Sequence, residues 1–237
     1  MAERPIVLSI AGYDPSSGAG ITADIKTAAA CDCYAMTCAT ALTVQTTQGV
    51  FGVEPVRPEV VRETLNRLAD DVDFEAVRIG MLGSGAVAEV VAEFLQQRQP
   101  RNVVLDPVIR SSSGAELIDQ HGVAVMRRDL LARVTVATPN LTEAVALVGS
   151  SELPAGSEEV VLGLWRELAG KLHGMGCPAI AITGGDQQEA NDYLSIWREG
   201  RAEEHVLAGS RMESKATHGT GCAFATALAC GLAKGQA

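Results

Sequence analysis

What most limits the fold of this chain is a regular alternation of short apolar runs, each the length of a buried strand, with segments of helical spacing. Residues 6–11, 36–44, 76–79, 103–105, 134–137 and 179–182 read as strands. Residues 18–30, 58–68, 84–97, 123–131, 141–148 and 158–173 read as helices, the second opened by a first-turn proline, Pro58. A strand that feeds a helix and then another strand is the crossover unit of a parallel sheet, so an α/β sandwich of three layers is expected, with helices on both faces. Near the carboxyl end, residues 192–198 and 203–206 flank Glu199-Gly200-Arg201, the pattern of a hairpin at a sheet edge. No long linker or internal repeat interrupts this order, so residues 1–237 are expected to form one domain, with a polar loop at 150–157.

Ligands of such sheets bind beyond the carboxyl ends of the strands, and polar residues gather there. Thr217-His218-Gly219-Thr220-Gly221-Cys222 leads into the breaker-free run Ala223-Phe224-Ala225-Thr226-Ala227-Leu228-Ala229, with the last helix starting at Gly221. The backbone N–H groups of residues 219–222 become unpaired first-turn donors, which attract a phosphate and favour a thiolate at Cys222. The same glycines also suit a tight packing turn. Asp106 follows the strand 103–105 directly, and Asn140 and Glu143 follow the strand ending at Ala137. Carboxylates and an amide suit Mg²⁺, while Thr138-Pro139-Asn140 equally reads as a helix cap with Glu143 as its first-turn acid. The loop from Gly12 to Gly20 lacks the lysine of a Walker loop and the spacing of a dinucleotide fingerprint. Asp24, one turn into the following helix, is either a hydrogen-bond partner for a substrate hydroxyl or a solvated acid.

The formal net charge of −10 and the lack of a basic block disfavour nucleic acid and anionic membranes, which leaves a small molecule as the expected partner. No segment approaches a spanning helix or a secretory leader, so a cytoplasmic protein is expected. Six cysteines without a paired C-x-x-C motif argue against structural zinc, and Cys31, Cys33, Cys38, Cys177 and Cys230 read as small buried hydrophobes.

The run from Ala11 to Thr27 resembles the amino-terminal signature of hydroxymethylpyrimidine/phosphomethylpyrimidine kinases, of the ribokinase-like superfamily. So do residues 40–50, Ile79-Gly80-Met81-Leu82, Leu105-Asp106-Pro107-Val108, residues 138–144 and Thr217 to Cys222, a set that spans nearly the whole chain. The resemblance implies phosphorylation of a hydroxymethyl group by ATP and Mg²⁺ in thiamine biosynthesis. It gives Cys222 the role of proton acceptor and Gly219, Thr220 and Gly221 that of an anion hole. Gly12, Asp24, Gln45 and Met81 would form the pyrimidine pocket. Asp106, Asn140, Glu143, Thr183, Gly185 and Thr217 would border the nucleotide, with Asp106 and Glu143 nearest the metal. Relatives are often dimers or trimers built on a sheet edge, so a homodimer is expected.

The chain departs from the family at Thr183, where lysine is common and Lys215 is left to supply the cation, and at Tyr13 and Ala216. It also stops at Ala237, where relatives usually continue through another helix. Two rivals stand beside the pyrimidine kinase. A pyridoxal kinase acts on a hydroxymethyl group on a similar flat ring, against which Gln45 argues, and a silent sensor would bind pyrimidine or nucleotide without turnover.

Overall fold

The computed structural model describes residues 4–150, 158–185, 190–210 and 218–236. Its strands are β1 (Ile6–Tyr13), β2 (Tyr34–Thr46), β3 (Gly49–Pro55), β4 (Ala76–Ile79), β5 (Val103–Leu105), β6 (Val136–Ala137), β7 (Ala179–Ile182), β8 (Asp192–Arg198) and β9 (Arg201–Leu207). They form a nine-stranded sheet in the order β3-β2-β1-β4-β5-β6-β7-β8-β9. The core from β2 to β7 is parallel, whereas β3, β8 and β9 add antiparallel edges. The chain leaves β1 for β2 on one side and returns to β4 on the other, which opens a crevice at the carboxyl end of β1.

The helices are α1 (Gly20–Ala30), α2 (Pro58–Asp71), α3 (Gly85–Arg98), α4 (Gln120–Val125), α5 (Leu141–Val148), α6 (Glu158–Gly174) and α7 (Thr220–Ala233). Strand residues alternate between two cores, as the twofold repeat of a strand requires. Val7, Ala76, Val104 and Val136 face the smaller one, built with Ala28, Ala225, Ala229 and Cys230 of α1 and α7. Leu8, Ile10, Val77, Ile79 and Leu105 face the larger one, with Val61 and Leu65 of α2 and Val87 and Leu95 of α3. The same alternation carries Ser9, Arg78 and Asp106 to the α1/α7 side, just past the apolar layer, and so places polar groups under the crevice.

The helix expected at 123–131 is instead α4, a π-turn at Met126–Leu130 and a 3₁₀ turn at Leu131–Arg133, and the strand expected at 134–137 shrinks to Val136–Ala137. Asp119 decides the earlier start, because its carboxylate accepts from Gly122 N at 2.7 Å as an N-cap. The edge strand β3 escaped sequence reading because Gly49 and Gly52 break its apolar pattern. The hairpin turns at Glu199 and Gly200, with φ of 53° and 79°. Among the described residues no helix is long and apolar enough to cross a membrane.

Candidate active site

Two helix starts converge at the mouth of the crevice. Gly219 caps α7 with φ 80° and, as a glycine, brings no side chain of its own to the N–H groups of the first turn. A Cβ on Gly219 would lie 1.9 Å from the Gly18 carbonyl oxygen, and one on Gly20, with φ 59°, would lie 2.2 Å from that of Gly12. Only glycine lets these loops pass so closely. Gly219→Ala is expected to cost about 1–3 kcal/mol in thermal unfolding, with loss of any activity that depends on the α7 turn.

Cys222 lies in that first turn, beside the Gly20 amide and above Arg78. The residue is only partly covered, yet desolvation dominates its thiol and pushes it up to about 11, with Asp106 and Asp24 adding to the rise and Arg78 opposing it. This corrects the thiolate-favouring expectation. Burial disfavours the charged thiolate, and neither Arg78 nor the helix end overcomes that.

Beneath the thiol Arg78 is wholly buried, with Nη2 2.6 Å from Asp106 Oδ2 and Nη1 3.2 Å from Asp24 Oδ2. Burial disfavours its charge, but Asp24, Cys222 and Asp106 outweigh this and raise its affinity for the proton. Asp24 also accepts from Ser9 Oγ at 2.6 Å and Thr226 Oγ1 at 2.8 Å. Its carboxylate is 0 % exposed and engaged on every side by protein groups, so the contact with a substrate hydroxyl expected of Asp24 is corrected to a structural one. Asp106 is likewise 5 % exposed and bound to Arg78, and a direct metal role for it finds no support in this geometry. Sequence reading missed Arg78, although a charge within Ala76-Val77-Arg78-Ile79, otherwise apolar and buried, signals a paired ion.

Asp14 and His218 were also missed as a pair, being 204 positions apart. The Asp14 carboxylate accepts from Ser16 N, Gly18 N and Ala19 N, a nest that delays the start of α1 from residue 18 to Gly20. Burial pushes its carboxyl up, but the hydrogen bonds from His218, Ser16 and Ala19 prevail and hold it below the ordinary carboxylate range. His218 Nε2 lies 2.9 Å from Asp14 Oδ2 and 2.9 Å from Gln45 Nε2. Met81 lies on the same rim against Gly12, where a Cβ would meet its sulfur at 2.8 Å, and its carbonyl accepts from Thr40 Oγ1. Gly12, Gln45 and Met81 are therefore brought close to the α7 turn.

Farther along the rim Asn140 caps α5, with Glu143 N donating to Asn140 Oδ1 at 2.8 Å and Asn140 N donating to Glu143 Oε2 at 2.9 Å. This is a reciprocal capping box. Thr183 N donates to the Pro139 carbonyl at 3.0 Å, which sets Thr183 beside Asn140, and Gly185 is exposed with open space where a Cβ would be. Thr217 and Lys215 lie outside the described residues. Among the described residues no cluster of three or more His, Cys, Asp or Glu side chains is placed to hold a metal ion.

A family model described as phosphomethylpyrimidine kinase matches residues 14–237. The chain is 42% identical over 229 residues to the hydroxymethylpyrimidine/phosphomethylpyrimidine kinase of Escherichia coli, covering 96% of this chain and 82% of that protein. Among solved structures, the ADP complex of Bacillus subtilis pyridoxal kinase superposes with a TM-score of 0.86 at 32% identity, covering 99% of this chain and 86% of that one. Phosphomethylpyrimidine kinase from Clostridium difficile 630 superposes at 0.83 and 28% identity, covering 99% and 93%.

Proposed function

The chain belongs to the phosphomethylpyrimidine kinase family, with a ribokinase-like α/β fold, and from that premise we propose that residues 1–237 form one kinase domain acting on 4-amino-5-hydroxymethyl-2-methylpyrimidine. It transfers a phosphoryl group from ATP to the hydroxymethyl oxygen and then to the monophosphate, giving the pyrophosphate used to assemble thiamine. The observation that carries this reading is the juxtaposition of Cys222, the glycine-capped α7 turn and the Gln45–Met81–Gly12 rim. Together these offer a thiol that accepts the hydroxymethyl proton once ionised, an anion hole and a pocket for a flat ring.

The α7 turn fits a nucleotide's phosphates, since the first turn contains no acid and its N-cap is a glycine that allows close approach to the backbone. Asn140 and Glu143 engage one another, so Mg²⁺ would meet them through water while substrate phosphates complete its shell, the usual habit of that ion. Bound MgATP supplies the phosphoryl group and neutralises charge on it. The protein's own part is to orient the hydroxymethyl group at Cys222, hold the ring against Met81 and direct the N–H groups of Thr220 and Gly221 at the transferring group. Thr183 and Gly185 border the nucleotide in this reading, and the activity is taken as cytoplasmic. Half-exposed Tyr13 and Leu42 are register partners, and Val44 follows on the same exposed face of β2, an apolar strip suited to a homodimer.

The pyridoxal kinase superposition favours one rival, so the test compares both rings. ADP release is expected with MgATP and either the hydroxymethylpyrimidine or its monophosphate, at a kcat/KM above that with pyridoxal. Turnover confined to pyridoxal would overturn the reading, and ligand binding without any turnover would favour the sensor.

A further inference from the structure

Two polar groups compete for one nitrogen on the substrate rim. His218 Nε2 is 2.9 Å from both Asp14 Oδ2 and Gln45 Nε2. The other amide atom of Gln45 is 3.1 Å from Thr43 Oγ1, whose hydroxyl is 2.9 Å from the Tyr13 carbonyl. A ring nitrogen carries either a proton or a lone pair. Asp14 already accepts from Ser16, Gly18 and Ala19, as only an ionised carboxylate would, so it offers Nε2 lone pairs alone. Nε2 must then donate, and a donating nitrogen cannot also accept an amide N–H. The conflict disappears when the Gln45 amide turns about, with Oε1 toward His218 and Nε2 toward Thr43 Oγ1, whose proton goes on to the Tyr13 carbonyl. Each close contact in the chain Gln45, Thr43, Tyr13 and in the pair His218, Asp14 then joins a donor to an acceptor.

We infer that His218, held by Asp14, is a positioning residue that fixes the order in which Gln45 presents its acceptor and donor to the substrate ring. This rests on the pyrimidine reading proposed above. Gln45 keeps one Oε1 lone pair on the His218 side and one N–H on the Thr43 side. An aminopyrimidine edge offers the complement, an exocyclic amine beside a ring nitrogen, and pairs with that order. Reversal of the amide sets donor against donor and acceptor against acceptor. The loops are shaped for the imidazole, since a Cβ on Gly18 would lie 2.4 Å from His218 Cδ2.

The test measures binding by calorimetry for the hydroxymethylpyrimidine and for its analogue lacking the 4-amino group, in wild type, His218→Ala, Gln45→Ala and the double variant. Wild type is expected to prefer the amino compound. His218→Ala is expected to shrink that preference by roughly one to two orders of magnitude. In the Gln45→Ala background, removal of His218 is expected to cost nothing more, the signature of a residue acting through its neighbour. His218→Gln, which restores an N–H donor, is expected to recover part of the preference and guards against a simple folding defect. Equal loss on both compounds, or a full His218→Ala effect without Gln45, would overturn the inference. Turnover assays on the same wild-type protein judge the kinase reading separately, because binding selectivity does not require chemistry.

Discussion

Replacing Cys222 with alanine is expected to lower kcat for the hydroxymethylpyrimidine by about 10²–10⁴, the usual contribution of a positioned general base, with ring binding retained. The sign of the pH dependence follows from the thiol's surroundings. Burial, with Asp106 and Asp24 nearby, pushes Cys222 up to about 11, so at neutral pH the thiol is protonated and only a fraction of ~10⁻⁴ is thiolate. If proton transfer uses that thiolate, kcat/KM rises about tenfold per pH unit from neutrality toward 11. The loose transition state of phosphoryl transfer allows the alcohol proton to leave late, and a thiolate this basic accepts it readily once formed. A flat profile over the same range, with the alanine variant fully active, would remove Cys222 from the chemistry.

Arg78→Met is expected to destabilise the fold by about 3–5 kcal/mol, because it leaves Asp24 and Asp106 as uncompensated charges at buried positions. For a chain of this length that corresponds to a fall in Tm of roughly 10 °C. The defect should depend on pH. Burial already raises the Asp106 carboxyl against the opposing pull of Arg78, and without the guanidinium it rises further above its unfolded value, so the variant regains stability as pH falls and this acid protonates, and loses it as pH rises. Thermal melts from pH 4 to pH 8 read this directly. A deficit independent of pH would mean that Arg78 contributes packing rather than charge.

The legibility of this chain divides by the distance over which information acts. Residues 76–79, 103–105, 141–148 and 179–182 were readable to the residue, because apolar runs and a capping box are properties of neighbouring positions. The start of β6, the π-turn after α4 and the glycine-broken edge β3 were not, since packing and pairing there override local pattern. The α7 turn was legible from its own residues, and the rule that parallel sheets bind at strand carboxyl ends set it and the Gly12 loop on one rim, whereas Gln45 and Met81 joined them only through the resemblance.

What the sequence determined by itself was therefore the class of sheet and the rim on which its polar motifs lie, both of which follow from periodicity and short spacing, while the roles expected of those motifs came from the family resemblance. Only the tertiary structure decided the electrostatics. It turned Asp24 and Asp106 inward onto Arg78, raised the Cys222 thiol where a lone helix terminus would have lowered it, and brought Asp14 to His218 across 204 positions. The physical reason is that a charge responds to everything within several ångströms in a medium of low polarity, and those neighbours come from strands and helices that sequence separation keeps far apart.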